Sequence, residues 1–272
     1  MIASVNGINI HYEVYGVGIP IIMIEGLGYS TWMWEYQKKL SSKIKVILYD
    51  NRGVGQSDKP IEPYTMDNFT DDLKYLTEFH GFDKFFLLGV SMGGMIAQAF
   101  TLRFPDKVLG LVLTSTNFGV KSIMPDKEIL DILSSIPKDA SLEERMKPAF
   151  SKYTLDNNIG LFNEILNLRK TKNQNVMQLQ QLSAVSSFDS RAELNRVNNP
   201  TLIIAGLDDI IVPPKNSEIL HQLIRNSRLI MFRNSGHLLN IERHSYYNKE
   251  IIKFIKLVDT GVFKRVEETE VI

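Results

Sequence analysis

The sequence has no cysteine in its 272 residues. Disulfides, thiolate metal sites and a cysteine nucleophile are excluded together. No charge of either sign is in excess, since 31 Lys and Arg are balanced by 31 Asp and Glu. A nucleic-acid or anionic-membrane partner needs a basic face, so composition gives no argument for either. The longest apolar runs, around 21–24 and 111–113, fall far short of the ~20 residues of a membrane span. Residues 1–6 carry neither a basic cluster nor an apolar core, so no secretory signal is expected and the protein is expected in the cytoplasm. What is present is ordinary for a globular chain, with 44% hydrophobic and 23% charged residues. A chain this long buries roughly 70–75% of its unfolded surface and needs no covalent staple.

Strand and helix signals alternate through the first half. Residues 2–5 and 8–15 flank the turn dipeptide Asn6-Gly7 and read as a hairpin. Residues 19–24, 46–49, 85–88 and 108–113 are short runs that are nearly all apolar, as in strands of a parallel sheet covered on both faces. Helical patterns lie between them at 32–40, at 66–79 with Thr65 as N-cap and Gly81 as stop, and at 92–103 before Pro105. The spacing predicts a doubly wound, mostly parallel α/β sheet. From 118 to 188 only helical periodicity is found, at 127–133, from the capping box Ser141/Glu144, at 161–169 and at 176–185. The alternation then resumes with strands at 200–205 and 228–232 and helices at 216–224 and 247–255. This predicts an α/β core of 1–117 and 189–272, interrupted by a helical lid of 118–188. The tail, 260–272, is charged and expected to be peripheral.

Gly89-Val90-Ser91-Met92-Gly93 is a G-x-S-x-G placed between an apolar strand and an amphipathic helix. That context is what a nucleophile elbow requires, because the turn strains the serine and leaves no room for side chains at the glycines. Ser91 would stand at a helix N-terminus with the Met92 N–H facing a developing oxyanion. A serine nucleophile needs a base. His11, His80, His221 and His244 read as surface or capping residues. His237 instead follows Asn234-Ser235-Gly236 in a loop after a strand, at the sheet edge where such folds place their sites. Asp208 and Asp209 follow another strand on the same edge, and one of them is expected to orient His237.

These motifs resemble the α/β-hydrolase superfamily, in the branch of capped esterases, lactonases and C–C hydrolases. The resemblance spans nearly the whole chain. It rests on the elbow at Ser91, on Asp50-Asn51-Arg52-Gly53-Val54-Gly55-Gln56-Ser57, on Gly206-Leu207-Asp208-Asp209 with Pro213, and on Ser235-Gly236-His237 with Glu242. It implies the α/β-hydrolase fold with an inserted helical cap and a triad of Ser91, Asp209 and His237. The family's acid stands three residues after the glycine and four before the proline, which selects Asp209. It also implies that the Leu27 N–H joins that of Met92 in an oxyanion hole. Here the sequence departs from the family, with Glu25 in place of the usual histidine before Gly26. A carboxylate beside an oxyanion would oppose it, so Glu25 is expected to point away and tie down the loop.

Gly26-x-Gly28 and Gly53-x-Gly55 lack the third glycine of a dinucleotide fingerprint, and no metallopeptidase spacing is present, so no cofactor and no metal are expected. Trp32 and Trp34 read as core or lid packing rather than a cofactor platform. The expected reaction is hydrolysis of uncharged carboxylic esters of short to medium acyl chain, with a small-molecule ester as the partner. Lid residues Met124, Ile129, Leu130, Leu133, Phe150, Tyr153, Leu161, Phe162 and Leu166 are the pool for an apolar acyl pocket. The named pocket candidates are Trp32, Phe118, Met124 and Leu238. An enol-lactonase, a C–C bond hydrolase and a non-catalytic ligand receptor of the same fold remain as alternatives, and a homo-oligomer is left open.

Overall fold

The computed structural model describes residues 1–135, 140–172 and 177–272, with side chains for all of these except 132–135 and 171–172. The apolar runs become one sheet of β1 (Ile2–Val5), β2 (Ile8–Tyr15), β3 (Pro20–Ile24), β4 (Lys45–Tyr49), β5 (Phe85–Val90), β6 (Val108–Thr114), β7 (Thr201–Gly206), β8 (Ser227–Phe232) and β9 (Glu270–Val271). Its order is β1-β2-β4-β3-β5-β6-β7-β8-β9. The first two pairings are antiparallel and all others parallel. Alternate residues of each central strand serve opposite faces. Phe85 and Leu87 join one apolar cluster, whereas Phe86 and Leu88 join the other. Burial on both faces is why these strands read as continuous apolar runs.

Helices α1 (Met66–Phe79) and α2 (Met92–Arg103) follow β4 and β5. Between β6 and β7 lie α3 (Lys127–Ser135), α4 (Leu142–Met146), α5 (Lys152–Asn157), α6 (Ile159–Lys172) and α7 (Gln178–Ser187). The chain closes with α8 (Lys215–Leu223), α9 (Leu239–Glu242) and α10 (His244–Asp259). Phe69, Ile96 and Leu220 place α1, α2 and α8 on the first cluster, and Tyr247 and Phe254 place α10 on the second. The helices between β6 and β7 share these clusters, through Met146, Phe162 and Ile165 on the second and Ala184 on the first.

Thr65 caps α1 reciprocally with Asn68, and Gly81 ends it at φ +66. Ser141 and Glu144 form their box, but α4 is only five residues long. Helix α5, absent from the periodicity reading, is capped by Ser151, which accepts from the Thr154 N–H. The single helix expected at 32–40 is two 3₁₀ segments, Thr31–Trp34 and Gln37–Ser42. Thr31, Trp32, Met33 and Trp34 are all buried. Such a run cannot show the one-sided pattern of a surface α-helix. The tail is exposed apart from half-buried Phe263 and Arg265, and β9 adds a two-residue parallel edge strand to β8. Val176, at the start of the helix expected at 176–185, and the side chain of Leu133 lie outside the described residues. No helix among the described residues is long and apolar enough to cross a membrane.

Candidate active site

Ser91 sits between β5 and α2 with φ 56° and ψ −122°. A non-glycine residue in such a region costs on the order of 1–3 kcal/mol and persists only where its surroundings enforce it. Here its N–H donates to the Thr114 carbonyl at 3.0 Å, and its carbonyl accepts from Gly94 N–H at 2.9 Å and Thr116 Oγ1 at 2.7 Å. Gly93 is required by contact, since a Cβ there would stand 2.1 Å from the Ile24 carbonyl oxygen. The start of α2 is thus pressed against the end of β3. The loop leaving β3 then passes Ser91 closely enough that a Cβ on Gly26 would lie 3.3 Å from Ser91 Cβ.

Asp209 follows β7 and is 4% exposed, while Asp208 is exposed. Asp209 Oδ1 accepts the Ile211 and Val212 N–H groups at 2.9 Å each, and Oδ2 lies 2.8 Å from His237 Nδ1. A carboxylate can only accept, so in the neutral ring Nδ1 carries the proton and Nε2 the lone pair. The His237 loop is clamped by buried Glu242. Its Oε1 accepts from Gly236 N–H at 2.7 Å, and its Oε2 accepts from Ser151 N–H at 2.9 Å and Ser151 Oγ at 2.6 Å.

Ser91 and His237 line one cavity of about 740 Å³, with Gly26, Leu27 and Met92 in its wall. That volume suits a small organic ligand. Among the described residues, neither the Leu27 nor the Met92 N–H donates to another backbone group. Both residues line the cavity together with Ser91.

Glu25 is fully buried and does not line the cavity. Its Oε1 accepts the Asn51 N–H at 2.5 Å, which ties β3 to the loop after β4. Burial first, and the nearby Asp50 carboxylate second, push its carboxyl well above the usual carboxylate range. Its carboxyl therefore holds its proton at pH values where an ordinary carboxylate has lost it, which works against a standing charge beside the hole.

Of the named pocket candidates, Leu238 lines the cavity. The other three are not brought there. Phe118 is 0% and Trp32 is 3% exposed, each packed in an apolar cluster, and Met124 is 62% exposed. A large side chain near a sheet edge does not announce which way it turns. Two histidines also differ from their surface reading. His11 is buried with Nδ1 3.0 Å from Asp50 Oδ2, and His221 is buried with Nδ1 2.8 Å from Ser227 Oγ. The cavity also holds Arg145, Arg169 and Lys170, which the sequence reading could not place. No spacing signal marks them, because their position depends on how the helices between β6 and β7 fold back. Among the described residues, no group of three or more His, Cys, Asp or Glu side chains is arranged to hold a metal.

A sequence model of the alpha/beta hydrolase fold matches residues 19–244. The chain belongs to the α/β-hydrolase family. This hydrolase is 30% identical to the AB hydrolase superfamily protein YisY of Bacillus subtilis over 259 residues, covering 91% of this chain and 95% of that one. Its fold is similar to an esterase of Exiguobacterium antarcticum, with a TM-score of 0.81 and 25% identity over 94% of this chain and 99% of that one. It is also similar to a thermophilic esterase of Thermogutta terrifontis solved with malate bound, with a TM-score of 0.78 and 25% identity over 95% and 98% of the two chains.

Proposed function

We propose that this α/β-hydrolase cleaves carboxylic esters of short to medium acyl chain through an acyl-enzyme on Ser91. The observation that carries the reading is the 2.8 Å His237–Asp209 contact on the cavity that also exposes Ser91. His237 Nε2 takes the proton as Ser91 Oγ attacks the carbonyl carbon. Asp209 holds the ring and stabilises its charged form. The Leu27 and Met92 amides receive the oxyanion, each worth about 10²–10³ in rate. Collapse expels the alcohol with the proton from His237, and His237 then activates water to release the acid. Leu27, Met33, Met95, Ile211 and Leu238 give the cavity an apolar wall that suits an alkyl acyl group. Helices α4, α6 and α7 contribute Leu142, Arg169 and Gln178 to the cavity lining, in keeping with a cap over the site. Similarity to two esterases supports the ester as substrate.

A second reading has its own observation. Arg145, Arg169 and Lys170 line the same cavity. Three cations beside an acyl site favour a substrate with a free carboxylate, such as a carboxylated ester or enol-lactone. A series of nitrophenyl esters from acetate to dodecanoate, run beside a carboxylated enol-lactone, separates the two. Ester turnover that peaks at short to medium chains and vanishes in Ser91→Ala supports the first. Turnover confined to the lactone would transfer the assignment to the second.

A further inference from the structure

Gln181 of α7 is fully buried, yet its partners lie in the core of the fold. Its Oε1 accepts the Gly28 N–H at 2.8 Å, and its Nε2 donates to the Arg52 carbonyl at 3.1 Å. Arg52 is itself fixed, with Nε and an Nη each 2.6 Å from the buried Asp72 carboxylate of α1. One amide from the helices between β6 and β7 thus bridges two core loops.

The segment that Gln181 grips is the one that carries Leu27. It is short and flanked by Gly26 and Gly28, with Gly28 at φ +73 and a turn closed by Tyr29 N–H on the Gly26 carbonyl at 3.2 Å. Glycine-flanked backbone is soft, so its direction must be imposed from outside. Glu25 anchors the entrance through Asn51. The exit is held from α7, which is itself tied down by Met177 N–H on the Gly53 carbonyl at 2.9 Å.

We propose that Gln181 is a positioning residue for the oxyanion loop, aiming the Leu27 N–H by holding Gly28 against the Arg52 carbonyl. The oxyanion hole is then complete only when α7 is seated. The proposal rests on the reading of Ser91 as nucleophile and Leu27 as oxyanion donor. An oxyanion donor must stand within about 2.7–3.1 Å of the charge it meets. A displacement of about 1 Å at a reacting centre costs on the order of 10²-fold in rate.

The test compares Gln181→Met, which keeps length but neither hydrogen bond, with Gln181→Glu, which keeps an acceptor for Gly28. The readouts are kcat and KM on a nitrophenyl butyrate, and the affinities of an alkyl trifluoromethyl ketone and of butyrate. The ketone forms a tetrahedral adduct when Ser91 Oγ adds to its carbonyl and the proton passes to His237, so its oxyanion samples the hole. Butyrate does not. The expected result is a fall of roughly 10- to 100-fold in kcat for Gln181→Met, with KM nearly held, ketone affinity reduced in step with kcat/KM, and butyrate affinity unchanged. Gln181→Glu is expected between that variant and the parent. A folded Gln181→Met with parental kcat and ketone affinity overturns the proposal, as does equal loss of ketone and butyrate binding. If Gln181→Met does not fold, Gln181→Glu decides by the same measurements, and parental kcat overturns the proposal. Ser91→Ala run in parallel tells the two failures apart. Retained hydrolysis there sinks the nucleophile assignment, whereas its loss beside an unaffected Gln181 variant sinks only the inference about Gln181.

Discussion

His237 Nδ1 stands 2.8 Å from Asp209 Oδ2, while the other Asp209 oxygen is occupied by the amides of Ile211 and Val212. The carboxylate is held from two sides and cannot rotate without breaking three contacts. The imidazole is thereby fixed in one tautomer and one orientation, with Nε2 free to act as a base.

Asp209→Asn is expected to keep the packing and lose the tautomer, with kcat on a nitrophenyl ester falling about 10⁴-fold. Asp208→Asn, at an exposed side chain, is expected to match the parent. Comparable losses in the two variants would contradict the assignment of the acid.

Glu25 keeps its proton in the fold at pH values where an unfolded chain has lost it. Stability tied to that proton is therefore full below the ordinary carboxylate range and declines as pH rises towards the elevated folded value. Glu25→Gln removes the titration and retains an acceptor for the Asn51 N–H. Thermal unfolding should show the Gln variant gaining on the parent at about pH 8, with the gap closing towards about pH 4. Activity should persist. A gap independent of pH would count against the raised carboxyl, and a folded but inactive Gln variant against a purely anchoring Glu25.

Gly93→Ala is expected to cost about 3 kcal/mol or more in urea unfolding, because backbone cannot retreat as a flexible side chain would. The atom met is the Ile24 carbonyl oxygen, 2.1 Å from the added Cβ. A loss below about 1 kcal/mol would mean that β3 and α2 are not in contact as described.

Arg145→Ala and Arg169→Ala test the cationic wall. For a carboxylated ester each is expected to raise KM by roughly tenfold, the scale of one lost hydrogen bond to a charged group. KM for an uncharged ester should barely move. Equal effects on both substrates would show that these arginines act on packing, and Arg169, which lies over the Tyr29 ring at 4.6 Å, is the sharper case.

Legibility in the sequence followed the range over which each feature is determined. The elements at Met66–Phe79 and Phe85–Val90 were readable because caps and strand burial leave local marks. The strand-end positions of Ser91, Asp209 and His237 followed from the same local pattern. Thr31–Trp34 was not readable as 3₁₀, since Thr31 N–H is held by Asp50 Oδ1 at 2.7 Å, a contact between loops far apart in sequence. The burial of His11 against Asp50 depends on such a contact too, whereas His221 is buried against Ser227, just beyond the end of its own helix. Gln181 and Arg169 lie on helices without a strong one-sided pattern, and only the way the chain folds back brings Gln181 to Gly28 and Arg169 to the cavity.

The most direct measurement is labelling with an alkyl fluorophosphonate followed by peptide mass mapping. One adduct is expected, on the peptide containing Ser91, formed rapidly in the parent and far more slowly in a folded His237→Ala variant. No adduct on folded, ester-cleaving protein, or an adduct on another residue with Ser91 untouched, would contradict it.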